Sequence, residues 1–160
     1  MIKMIVAVDK QCGIAKDGRI PWDVPEDMKL FRKLTTGDGN NAVVMGRNTS
    51  RTLPSGFLRD RMNFILSTTT TGQGPDWQYV NKYEKIDIEQ FDDVWIIGGA
   101  QLYSYMLSTG FVDEVHVSII PEDYECDLLF NMEDVTKKFN LDRMETLEGF
   151  AHLVYTPKFI

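Results

Sequence analysis

The sequence is poor in the residues that build metal centres and disulfide scaffolds. Its 160 residues include two cysteines, Cys12 and Cys126, and two histidines, His116 and His152, none at a metal-ligand spacing. A zinc site is therefore not expected, and the cysteines read as reduced thiols. His116, between Val115 and Val117, reads as a hydrogen-bonded structural residue of a strand. Basic residues are also short: 17 Lys and Arg face 24 Asp and Glu, for a net charge of −7, which argues against nucleic acid as a partner. Charges or glycines interrupt every apolar run before it reaches membrane-spanning length. The opening Met1–Asp9 is too short and too soon acidic for a signal peptide, so a cytoplasmic location is expected. The Rossmann G-x-G-x-x-G pattern and the P-loop are both missing, and Gly37-Asp38-Gly39 follows a helix pattern rather than a strand. Repeats, low-complexity tracts and long linkers are missing too, which leaves one domain over residues 1–160.

What is present alternates. Strands are expected over Lys3–Val8, Asn41–Met45, Met62–Ser67, Trp77–Val80, Val94–Ile97, Val112–Ile119 and Phe150–Thr156. Helices are expected over Glu26–Thr35, briefly after Gly46, over Ala100–Leu107, and in a short piece at Ile86–Phe91. Short continuous apolar runs such as Val94-Trp95-Ile96-Ile97 suit a sheet covered on both faces. The pattern predicts a single α/β domain: a twisted, mostly parallel central sheet with an antiparallel C-terminal edge strand, flanked by about four helices.

Charge is unevenly placed. Between Gly46 and Phe64, Arg47, Arg51, Arg59 and Arg61 face only Asp60, whereas Asp113–Glu148 holds eleven acids against three bases. A basic island in an acidic chain suits small anions, although solvated surface charge is an equal reading. In the first helix Asp27, Leu30, Phe31 and Leu34 share one face, so Asp27 is the single ionisable group on an apolar stripe. It is either a helix-start residue satisfied by free backbone amides or a carboxylate kept there for a ligand. Val94–Gly98-Gly99-Ala100 runs from strand through two glycines into a helix, where backbone can approach a ligand and helix amides can meet phosphate. Val43-Val44-Met45-Gly46-Arg47-Asn48-Thr49 repeats the arrangement with an arginine, whose planar fork suits phosphate. Phe64-Ile65-Leu66-Ser67-Thr68 ends a further strand in two hydroxyls. Together these strand ends suggest a nucleotide across the carboxyl edge of an open sheet.

At this point the residues resemble the dihydrofolate reductase family along the whole chain, in order. Ile5–Val8 and Gly13-Ile14-Ala15-Lys16-Asp17-Gly18-Arg19-Ile20-Pro21-Trp22 are similar to that family's first strand and active-site loop, with Ala15 in place of a glycine. Trp22 leads through a proline to the acidic Asp27 and then Phe31. Gly46-Arg47-Asn48-Thr49, Leu58–Ser67 and Ile97-Gly98-Gly99-Ala100-Gln101-Leu102-Tyr103 resemble its cofactor, tail-binding and Gly-Gly segments, and Ser118 stands at its threonine position. Ser50 replaces a common aromatic and Cys126 a glycine. The resemblance implies NADPH-dependent reduction of 7,8-dihydrofolate to tetrahydrofolate, a step of one-carbon metabolism, by a monomer that needs no metal, nucleic acid or membrane.

It further implies catalytic roles for Asp27, Trp22 and Tyr103. The substrate would meet Ile5, Val6, Ala7, Met28, Phe31, Leu58, Ile97 and Ser118, with Arg61 on its glutamate tail and Arg59 as the alternative. NADPH would meet Ala7, Ile14, Ile20, Gly46, Arg47, Asn48, Thr49, Leu66, Ser67, Thr68, Gly98, Gly99, Ala100, Gln101, Leu102 and Tyr103, with the Gly98–Gly99 peptide cis. Two other readings stay open: the related pyrimidine reductase of riboflavin synthesis, and a non-catalytic pterin- or nucleotide-binding module.

Overall fold

The computed structural model describes residues 1–158, so the last two residues of the expected 1–160 domain lie outside the described residues. In chain order the elements are β1 (Ile2–Val8), β2 (Gly13–Ala15), α1 (Pro25–Thr36), β3 (Ala42–Gly46), α2 (Arg47–Thr52), β4 (Met62–Leu66), β5 (Trp77–Val80), β6 (Val94–Gly98), α3 (Ala100–Thr109), β7 (Glu114–Ile119), β8 (Leu128–Leu129), α4 (Met132–Lys138), β9 (Phe139–Leu147) and β10 (Phe150–Pro157). Eight strands form one sheet in the order β5-β4-β3-β6-β1-β7-β10-β9. The first six are parallel, and β10 pairs antiparallel with both β7 and β9. The expected α/β class and parallel sheet stand, and the antiparallel edge is a hairpin of two strands rather than one. Ile86–Phe91 is not an α-helix; it holds a short 3-10 turn at Ile88–Gln90, and another at Tyr83–Lys85 precedes it.

Strand alternation sorts the core into two layers. Met4, Val6 and Val8 of β1, Ala42 and Val44 of β3, Val94 and Ile96 of β6, and Val115 and Val117 of β7 face Leu102, Met106, Leu107 and Val135 of α3 and α4. Ile5, Val43, Met45, Ile65 and Trp95 face the other way, against Phe31 and Leu34 of α1 with Leu53 and Leu58. On β7 that second face carries Glu114, His116 and Ser118 instead of apolar residues, so a polar row lies under α1. No helix among the described residues is long and apolar enough to cross a membrane.

The loop after β1 is tied down by one carboxylate. Asp9, buried, accepts hydrogen bonds from the backbone N–H groups of Gln11, Gly13 and Tyr124. Burial opposes its charge, but these amides and the Cys126 thiol hold it below the ordinary carboxylate range. A side-chain carbon on Gly13 would collide with Cys126, so the glycine and the cysteine occupy complementary space. Ala15 belongs to β2, opposite Leu128 of β8, and its carbonyl accepts from Asp127 N–H at 3.0 Å. Asp127 in turn accepts from Asp17 N–H at 2.9 Å, which ties the loop after β2 to the segment before β8.

Candidate active site

The carboxyl ends of β3 and β6 are neighbours, and from them the chain departs in opposite senses: α2 leads outward to β4, while α3 leads back across β1 to β7. Such a divergence leaves a crevice at the sheet edge. A cleft of about 910 Å³ opens there. At its floor Gly98 has φ +126°, and a side-chain carbon on it would come 3.1 Å from the Tyr103 hydroxyl, so the position admits only glycine. The Gly98–Gly99 peptide is cis. Gly99 caps α3, whose first intrahelical bond runs from Tyr103 N–H to Gly99 C=O, leaving the Ala100, Gln101 and Leu102 amides of the first turn without intrahelical acceptors.

Ala7, Ile14, Ile20, Gly46, Arg47, Asn48, Thr49, Leu66, Gly98, Gly99, Ala100, Gln101, Leu102 and Tyr103 all line this cleft. Ser67 and Thr68, just past the end of β4, are not among the residues that line it. The Ser67 hydroxyl accepts from the Thr69 and Thr70 amides, and Arg47 donates to the Thr69 hydroxyl at 3.2 Å. The cleft also takes in residues that the sequence reading missed: Arg19, Thr52, Lys82, Tyr83, Glu84 and Tyr105 among them. Isolated cations in loops, such as Arg19 and Lys82, were the available signal.

Tyr103 is buried, and its hydroxyl lies 2.8 Å from both the Ile5 and Ile97 carbonyls, sharing one hydrogen between them. Burial pushes its phenol well above the ordinary value, so it stays neutral. It holds β1 and β6 at fixed spacing where Val6, Ala7 and Ile97 line the cleft.

Beyond the cleft, under α1, Asp27 is 9% exposed. Its Oδ1 accepts from the Ser118 hydroxyl of β7 at 2.7 Å, and among the described residues no backbone amide donates to it. The helix start, Val24 followed by Pro25, has no side-chain cap, which leaves Asp27 unused as a capping group. Burial pushes its carboxyl above the ordinary range, against the pull of Ser118 and of nearby His152. Trp22 is half-buried with its ring 5.5 Å from that of Tyr124. Ile5, Phe31 and Leu58 pack in the α1-side core, while Met28 is 60% exposed and takes no part in the core.

Arg61 is buried, a costly place for a cation. Its Nε donates to the Arg59 carbonyl at 2.7 Å and Nη1 to the Thr35 hydroxyl at 3.0 Å, and no acid among the described residues pairs with it. Thr35 can accept because its own hydrogen goes to the Phe31 carbonyl. Desolvation, with Arg32 nearby, lowers the guanidinium's proton affinity, partly offset by Asp60. Arg59 is exposed. The segment is stapled by Asn63, fully buried, whose amide N–H₂ reaches the Leu58, Arg61 and Asp76 carbonyls and whose oxygen accepts from Leu58 N–H.

Residues 1–152 match the family model for dihydrofolate reductase. The chain is 29% identical to a dihydrofolate reductase of Ureaplasma parvum over 160 residues, covering 99% of this chain and 98% of that one. It is 34% identical to a dihydrofolate reductase of Schistosoma mansoni, covering 88% and 83%. Among solved structures, a dihydrofolate reductase of Enterococcus faecalis complexed with NADP(H) superposes with a TM-score of 0.81 at 21% identity, covering 99% of this chain and 97% of that one.

Proposed function

The chain belongs to the dihydrofolate reductase family, and on that premise we propose that it reduces 7,8-dihydrofolate to tetrahydrofolate with NADPH, acting as a monomer in the cytoplasm. The observation that carries the reading is one lone carboxylate, Asp27, held at one oxygen by Ser118 beside a cleft whose floor is Gly98, Gly99 and the start of α3.

The cleft fits a dinucleotide on the chemistry of its donors. Free amides of the α3 first turn suit a pyrophosphate, and Arg47 with Lys82 supplies cations for the remaining phosphate. Ala7, Ile14, Ile97 and Tyr103 would enclose the nicotinamide end. When bound, NADPH supplies the hydride. Everything else falls to the protein. Asp27 accepts two hydrogen bonds from the amidine-like edge of the pterin, which fixes its orientation. Its negative charge favours the protonated imine nitrogen of the substrate, making the adjacent ring carbon the better hydride acceptor. Water near Trp22 delivers that proton. Ile5, Phe31 and Leu58 keep the ring dry, and Arg61, already desolvated and lacking an acid partner, receives the substrate's glutamate carboxylate. The pyrimidine reductase reading would leave both Asp27 and Arg61 without employment.

Mixing the protein with NADPH and 7,8-dihydrofolate should bleach the reduced nicotinamide absorbance stoichiometrically with tetrahydrofolate formed. Binding of both ligands without turnover would instead identify a non-catalytic module.

A further inference from the structure

Behind Asp27 lies a polar chain that the proposed reaction has not yet used. On β7 the α1-side row reads Glu114, His116, Ser118. His116, 3% exposed, places Nε2 2.8 Å from Glu114 Oε1 and Nδ1 2.9 Å from His152 Nε2 of β10. The two imidazoles stack with centroids 5.1 Å apart and planes 25° from parallel, and the Trp95 ring meets His116 edge-on at 5.0 Å. At the far end Lys3 of β1 bridges Glu114 at 3.8 Å and Asp93 at 3.3 Å. At the near end strand register sets His152 directly opposite Ser118, the residue that donates to Asp27.

Hydrogen-bond chemistry gives this chain one polarity. A carboxylate can only accept, so His116 carries its hydrogen on Nε2. A neutral His116 then accepts at Nδ1, which requires His152 to donate from Nε2. The one ring nitrogen left with a free lone pair is His152 Nδ1, and an added proton comes to rest there. We propose that the Glu114–His116–His152 chain is a proton-holding element coupled to Asp27, so that one proton is shared between His152 and the Asp27 carboxyl. His152 is thereby a positioning residue that keeps Asp27 ionised as the solution turns acidic.

The charges around His152 pull both ways. Arg143 of β9 opposes its charging, while Glu145 of β9, its cross-strand neighbour, and then Asp27 of α1 favour it. His116 faces Glu114, Lys3 and His152. Burial draws both histidines down, His116 to about 4, while it draws Asp27 up, so the ranges of acid and base converge. Among the described residues no three such groups converge on a common point as a metal site would require.

The inference rests on Asp27 being the substrate-holding group, but its test needs no substrate. His116 and His152 are the only histidines in the sequence, so imidazole ¹⁵N spectra of the tag-free protein are unambiguous. Both rings should show the Nε2–H tautomer when neutral. In Asp27→Asn the proton affinity of His152 should fall about threefold or more, the loss expected when an opposite charge is removed. Reciprocally, in His152→Gln the Asp27 carboxyl ¹³C resonance should titrate at higher pH by the same factor. Should either variant fail to fold, the wild-type resonances of Asp27 and His152 must still show inflections at common pH values. A His152 titration indifferent to Asp27→Asn, or wild-type curves with no shared inflection, overturns the proposal. Intact coupling in a protein without turnover would leave it standing and remove the assigned reaction instead.

Discussion

At the scale of single residues, two buried ionisable groups stand out in the fold: Asp27, held by the Ser118 hydroxyl, and Arg61, held by Thr35 and the Arg59 carbonyl. Asp27 stood out as one acid on an apolar stripe, but its partner Ser118 lies 91 positions away and could be seen only through register. Charge alone does not distinguish Arg61 from Arg59, whereas their surroundings differ: Arg61 is buried and bonded to Thr35 and the Arg59 carbonyl, and Arg59 is exposed. Accordingly Arg61→Ala should raise KM for dihydrofolate and leave that for a tail-less dihydropterin unchanged. Steady-state kinetics on both substrates would check it, and the same pattern from Arg59→Ala alone would shift the tail site by two residues. Arg47→Ala should weaken NADPH about ten- to hundredfold and spare NADH, as expected for a lost arginine–phosphate contact. Equal loss for both cofactors in a fluorescence titration would make Arg47 structural.

At the scale of elements, strands with strong apolar alternation were legible and the rest were not. β9 went unseen because Asn140, Asp142, Arg143 and Glu145 give it no buried face, and β10 alone supplies its partner. α4, at seven residues with an Asn131 cap, is too short to show a period. The 3-10 turns at Tyr83–Lys85 and Ile88–Gln90 mimic a helix in composition while lacking its length. The staple on the β4 loop was invisible too, since one asparagine among polar neighbours carries no pattern. Asn63→Ala strands the Leu58 and Arg61 carbonyls and the Leu58 amide in a partly buried loop, while the Asp76 carbonyl keeps the backbone N–H of residue 63. It should cost about 2–4 kcal/mol in urea unfolding, and raise KM for dihydrofolate through the displaced Arg61. Stability within 0.5 kcal/mol of wild type, roughly the level of a surface change, would show that the loop holds itself.

At the scale of the whole molecule, buried ionisable groups tie stability to pH. His116 has a folded value near 4 against an ordinary 6.5, so between these limits the unfolded chain binds the extra proton. Its contribution is present above about 6.5 and is lost as pH falls towards 4. His116→Gln should flatten the acid side of the unfolding profile over that window. Asp27 acts in the opposite sense. Its raised value favours the folded state at low pH, and that benefit disappears as pH rises through it. The ionised carboxylate therefore weakens the fold at neutral pH, and Asp27→Asn, with the same shape and no charge, should melt a few degrees higher. The same substitution tests the central claim most directly. Hydride transfer, followed in single turnover at neutral pH, should fall by orders of magnitude in Asp27→Asn while NADPH affinity stays near wild type. Lowering the pH should restore part of the rate, because substrate protonated in solution no longer needs the enzyme's charge. A folded Asp27→Asn protein that turns over normally at neutral pH would contradict the catalytic assignment.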